Sequence, residues 1–209
     1  MTRKERSEQK LRELGVPANA NLPRIESEEE AQLRNPEEVA QRAIALCAVA
    51  VRGEGLQWKE VAELLKEHDP LQVATPKEKS FLLEENPAQK DQFNFSWRYE
   101  SLWVLLWALG YVESLDYPSS HCDVPRSVGT LIGATTEQFI KQATLRPLSE
   151  ILDEADLIYR YDWAVVDARI NRQPPPANLD AGVVYERHYA LNWLIGYMNQ
   201  DWDDVTTDT

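Results

Sequence analysis

Ser96-Trp97-Arg98-Tyr99-Glu100-Ser101-Leu102-Trp103-Val104-Leu105-Leu106-Trp107-Ala108-Leu109-Gly110 contains the longest strongly apolar run of the chain, and its spacing decides the fold class. Trp97, Glu100, Val104, Trp107 and Tyr111 fall on one stripe at helical spacing, and Phe95, Tyr99, Leu102, Leu106 and Leu109 on a second. Apolar groups on most sides make this a buried central helix, with Ser96 as its expected N-cap and Gly110 as its stop. Glu100 goes inside with it. Charges are rarely taken into an interior unless they are paired, so the stretch predicts an interior polar network.

Two further stretches repeat the pattern. Ser149 opens a long helix to about Asn171, which Pro174-Pro175-Pro176 ends. Ile151, Leu152, Ala155, Ile158, Tyr159, Val165, Val166 and Ile170 supply its packing faces. Asp156 and Arg160, four apart, can pair along it, and Asp162 falls on the apolar line of Ile151, Ala155, Ile158 and Val165. Asp180 caps a last long helix to about Met198, which carries Glu186 and sets His188 in line with Val184, Leu191, Ile195 and Met198. The candidate site residues are therefore Glu100, Asp156, Arg160, Asp162, Glu186 and His188. Read structurally, Arg98, Arg160 and Arg187 neutralise the acids and His188 is a satisfied core histidine. Read functionally, a carboxylate or imidazole of altered acidity acts as acid, base or ligand.

Start signals recur along the rest of the chain. Asn35-Pro36-Glu37-Glu38 joins an N-cap, a first-turn proline and acids that suit the helix dipole, and predicts a helix to about Arg52. Ser27 with Glu30, Thr75 with Glu78, and Thr135 with Gln138 have capping-box spacing. A shorter helix is expected over residues 58–67, and residues 111–135 read as loop-rich. Sustained period-2 alternation and hairpin dipeptides are missing. The fold class is all-α: a single compact domain over residues 1–209 of about eight helices, with buried aromatic and charged residues. Residues 1–26 form an N-terminal arm and residues 200–209 an acidic tail. Leu102, Leu105, Leu106, Trp107, Ile158, Val166, Leu191 and Ile195 are the expected core.

The net charge of −13 and isoelectric point near 4.7 repel nucleic acid and anionic membranes and permit a basic protein partner. The 7 Trp and 8 Tyr need a core or a ligand surface to cover them. Two cysteines make no disulfide framework: Cys47 sits in an apolar run and Cys122 in a polar loop. The first residues lack the apolar segment of a secretory signal, and no run approaches the ~20 residues of a membrane span, so a cytoplasmic protein is expected. Asp201, Asp203, Asp204 and Asp208 could hold a hard cation, although the order of a calcium loop is absent and Trp202 and Val205 favour a tail that docks. Zinc spacings, phosphate-binding glycine loops, Glu-x-x-His and His-Glu-x-x-His are absent. His121-Cys122-Asp123 shows no base placed for a nucleophilic cysteine.

Arg3-Lys4, Leu14-Gly15-Val16-Pro17, Leu22-Pro23-Arg24-Ile25-Glu26, Trp97-Arg98-Tyr99-Glu100, Leu106-Trp107-Ala108-Leu109-Gly110, the run from Glu150 to Arg160, that from Tyr185 to Trp193, and Asp201-Trp202-Asp203-Asp204-Val205 together resemble the domain of unknown function family numbered 4272. The resemblance implies a single-domain soluble protein of bacterial type. It carries over no activity, cofactor or catalytic residue. The first functional expectation is a non-enzymatic protein that binds a basic protein partner through an acidic surface. The alternative is a divalent-metal-assisted hydrolase built on the interior carboxylates and His188.

Overall fold

Reciprocal caps start the helices in the computed structural model, which describes residues 1–209. Thr2 accepts from the amide of Glu5 while Glu5 accepts from that of Thr2, starting α1 (Arg3–Glu13). Asn35 and Glu38 do the same for α2 (Pro36–Gly53). α3 (Trp58–Leu64) and the single turn α4 (Pro70–Val73) follow, and Thr75 with Glu78 opens α5 (Pro76–Leu83). α6 (Gln89–Ser96) meets α7 (Arg98–Ala108) at Trp97. Asp123 caps α8 (Val124–Ile132) and Thr135 caps α9 (Thr136–Lys141). α10 (Leu148–Ile170) and α11 (Ala181–Leu194) complete the set, with short 3-10 turns at Pro176–Asn178, Tyr197–Asn199 and Trp202–Asp204. The fold is all-helical; no residue lies in a strand.

Several boundaries differ from the sequence expectation for local reasons. Ser96 does not cap the central helix, because residues 89–96 are already helical and its hydroxyl donates to the carbonyl of Phe93, 2.8 Å away. The long helix starts at Leu148, one residue before Ser149, after Pro147. Residues 124–132, expected as loop, form α8: Asp123 accepts from the amide of Arg126, and Pro125 sits in the first turn, where its missing donor is harmless. The N-terminal arm holds α1. Glu30 accepts from the amide of Ser27 as its spacing predicts, but only one turn forms there. α11 stops at Leu194, before the left-handed Gly196. Of the expected core, Val166 alone is only half-buried.

The chain folds as two compact units. One comprises Arg34–Ser114 and Cys122–Leu145. Its axis is α2, against which α6, α7 and the shorter helices α3, α4, α5, α8 and α9 pack. Every residue from Arg42 to Arg52 is buried, which pushes the Cys47 thiol up to about 12. Arg52 is fully buried, and its guanidinium donates to the carbonyls of Leu56 and Glu84. Arg42 donates to buried Glu78. α2 and α6 cross closely at Gly53, where a Cβ would stand 2.5 Å from the amide nitrogen of Ser96.

The other unit comprises Met1–Leu33, Leu115–His121 and Arg146–Thr209. Its axis is α10, with α1 and α11 packed on it. Arg3 and Arg6 both reach Asp153 on α10, and Arg3 also reaches Glu28. Lys4 holds the arm by donating to the carbonyls of Ala20 and Leu22, each at 2.6 Å. The acidic tail docks: Trp202 packs edge-on against Tyr189 and Trp193, and its carbonyl accepts from the Tyr189 hydroxyl. No helix is long and apolar enough to cross a membrane.

Candidate functional site

The six candidates do not converge: Asp156 pairs with Arg160, Asp162 pairs with His188, and Glu100 and Glu186 stand apart from both pairs. Glu100 is in the α2 unit, where its carboxylate accepts from the amide of Cys122 at 2.5 Å. It ties down the 122–123 loop that starts α8. Asp156 and Arg160 form a two-pronged pair along α10, at 2.8 and 2.7 Å, with both side chains buried. Arg160 also donates to the carbonyl of Pro23 at 3.3 Å, and its third nitrogen lies 3.9 Å from Glu8 on α1. This pair pins the arm and α1 to α10. Glu186 is buried on α11. Arg187 donates to the carbonyl of Asp116 at 2.6 Å.

Asp162 and His188 are the pair that reaches a cavity. Asp162 on α10 and Nδ1 of His188 on α11 lie 2.9 Å apart. In the neutral ring with the proton on Nδ1, Nε2 carries a lone pair. His188 forms part of the wall of a cavity of about 370 Å³, together with residues of the arm, α10, α11 and the tail. The ring of Tyr159 stands 5.9 Å from that of His188, and the guanidinium of Arg160 lies over the same tyrosine at 5.7 Å. The interior network of α10 thus continues to the cavity.

Loops supply the remaining walls. Pro23, Arg24, Ile25 and Glu26 come from the arm, Glu30 from the turn that follows it, and Tyr197 and Asp208 from beyond α11. Arg24 and Glu30 form a two-pronged pair at 2.6 and 2.9 Å. That pair, with the amide of Ser27, holds the Glu30 carboxyl down at about 2. Burial pushes the Tyr197 hydroxyl up, and the charges of Asp208 and Glu26, which line the same cavity, push the same way. Asn192 of α11 donates to the carbonyl of Thr206 at 2.9 Å, and the Thr206 hydroxyl donates to Asp208 at 2.8 Å, which fixes the tail at the rim. One cation therefore stands against three carboxylates in the cavity wall.

The backbone beside this cavity is unusual. Gly196, Met198 and Asn199 all have positive φ, and a Cβ at Gly196 would lie 2.4 Å from the carbonyl of Gln32. Met198 and Asn199 bear side chains, so the turn carrying Tyr197 is held in a sparsely populated conformation.

Sequence reasoning set Asp162 and His188 on apolar lines and marked Asp208 as a cation ligand of the acidic tail, and it left Glu26 and Tyr197 without a site role. The buried pair Arg42 and Glu78 was legible by the rule that flagged Glu100, since Arg42 sits in an alanine-rich helix. Asp201, Asp203 and Asp204 are exposed at the last 3-10 turn, and no three His, Cys, Asp or Glu side chains gather closely enough to hold a metal ion.

No curated protein and no solved structure matches the chain. A family model does, over residues 3–205, and with it the long motifs from Arg3 to Val205 find their place: the chain belongs to the family described as a domain of unknown function, DUF4272.

Proposed function

We propose that the protein binds a basic protein partner and that the cavity beside His188 receives one cationic side chain of it. The observation that carries this reading is the wall itself, where Glu26, Glu30 and Asp208 outnumber Arg24. Arg24 is matched by Glu30, which leaves Glu26 and Asp208 to attract an ammonium or guanidinium group. Tyr197 and His188 line the same wall, where an aromatic ring and an imidazole nitrogen are further partners for an ammonium or guanidinium. The net charge of −13 steers such a partner from a distance.

Calorimetric titration with hexalysine peptide and with its fully acetylated form tests the proposal. Hexalysine should bind, more weakly as salt rises, and the acetylated peptide should not. Glu26→Gln combined with Asp208→Asn should weaken binding roughly tenfold or more. Glu63→Gln combined with Glu85→Gln, which removes as much charge elsewhere, should weaken it far less. Equal losses in the two double variants would reduce the effect to net charge and overturn the pocket.

A second reading, a hydrolase assisted by a divalent cation, draws on the Asp162–His188 hydrogen bond, which orients an imidazole as a ligand or base would need. It carries less weight because the carboxylates do not gather in threes. A saturable rise in melting temperature with magnesium, manganese or zinc, lost in Asp162→Asn, would favour it.

A further inference from the structure

A second cavity, of about 140 Å³, lies within the same unit, walled by Leu14 just past α1, Leu157 and Ile158 of α10, Leu191 of α11 and the loop at residues 115–118. It uses different residues of α10 and α11 from those beside His188: Ile158 here against Tyr159 there, Leu191 here against Asn192 there. Its size is that of the apolar space, about 150 Å³, that admits a benzene ring.

Its polar groups set what else the occupant must be. Tyr161 forms part of the wall and is 2% exposed, and its hydroxyl has no hydrogen-bond partner within the protein. Such a group costs free energy until something bonds to it. Tyr117 does not supply the bond: it meets Tyr161 edge-on at 5.7 Å, and its own hydroxyl donates to the carbonyl of Ala177 at 2.8 Å. Burial pushes the Tyr161 hydroxyl up, so it remains a neutral donor. Lys10 and Arg187 line the wall together with Asp116 and Glu154, so its formal charges balance. A charged ligand would bring an ion into this apolar space with no net countercharge to meet it. Glu154 adds a second hydrogen-bonding group on the same wall, and burial raises its carboxyl above the ordinary value although Lys10 and Arg187 oppose the shift.

We infer that this cavity is a binding site for a small uncharged amphiphile, a ring-sized apolar body bearing one hydroxyl that bonds to Tyr161. This site is independent of the cation-binding reading: its loss would leave hexalysine binding intact, and the reverse.

Benzyl alcohol, toluene, benzoate and benzylammonium, titrated against the full chain by calorimetry and thermal shift, provide the test. Benzyl alcohol should bind saturably and raise the melting temperature, toluene should bind more weakly, and the two ions should not bind. Tyr161→Phe should weaken benzyl alcohol roughly three- to tenfold and leave toluene unchanged. Nuclear Overhauser contacts from the benzyl alcohol methylene to the methyl groups of Leu157 and Leu191 should place it in the unmodified protein, without any variant. Absence of saturable benzyl alcohol binding would mean the space holds only water, and the inference would fall. It would fall equally if the ions bound as tightly, if Tyr161→Phe changed nothing, or if the contacts mapped elsewhere.

Discussion

Arg160 joins four parts of the α10 unit, since it meets Asp156, Glu8, the carbonyl of Pro23 and the ring of Tyr159. Removing one member of a buried pair strands the other, at ~3–5 kcal/mol. Arg160→Ala or Asp156→Ala should therefore lower the melting temperature by many degrees in calorimetric scans, and wild-type melting would place the pair in solvent. Glu154 should behave in the opposite way. Its folded value is raised above the ordinary 4.5, so its contribution to stability is complete below 4.5 and is lost as pH rises through the folded value. Glu154→Gln should thus melt above the wild type at pH 7–8, and the gap should close as pH falls toward 4.5; a gap that widened there would contradict the burial. The Asp156–Arg160 pair was legible in the sequence because both residues share one helix four positions apart. Asp162 and His188 were legible singly, each as a polar residue on an apolar line. Their pairing was not, because 26 residues and a change of helix separate them.

Elements here are decided more by their ends than by their middles. Thr2, Asn35, Thr75, Thr135 and Asp180 each accept amide donors at a helix start. Asn35→Ala should cost about 0.5–2 kcal/mol in urea unfolding, with an unchanged dependence on denaturant. Of the helices that sequence reading missed, α6 has no side-chain cap, α8 takes its Asp123 cap inside a stretch dense in proline and glycine, and α1 starts on a Thr2–Glu5 capping box that went unread. At the other end of α11, the left-handed turn at Gly196 is set by contact with the arm, because the amide of Gln32 donates to the carbonyl of Ile195 at 3.0 Å. Gly196→Ala meets both an unfavourable φ and the Gln32 carbonyl. It should lower the melting temperature and disturb Tyr197, so hexalysine binding should weaken beyond what lost stability explains. Normal binding by a destabilised Gly196→Ala protein would separate the turn from the cavity.

At the scale of the whole molecule, the helical class and the acidic charge followed from periodicity and composition, whereas the cavity walls did not, because they come from an arm, two helices and a tail far apart in the chain. That dispersion has a consequence for how the protein is made. During synthesis α1 emerges early, but its packing partner α10 begins at Leu148, and Arg3 meets Asp153 across 150 positions. Residues 34–114, the larger part of the α2 unit, emerge in between and already contain the α2, α6 and α7 packing. A chain arrested on the ribosome after residue 145 should protect α2 and α7 from brief proteolysis while leaving α1 open to cleavage. Protection of α1 should appear only once α10 has emerged. The unit that carries both candidate pockets would then be the last to acquire its shape, and a chain cut short within α10 would reach the cell with its binding surfaces unbuilt.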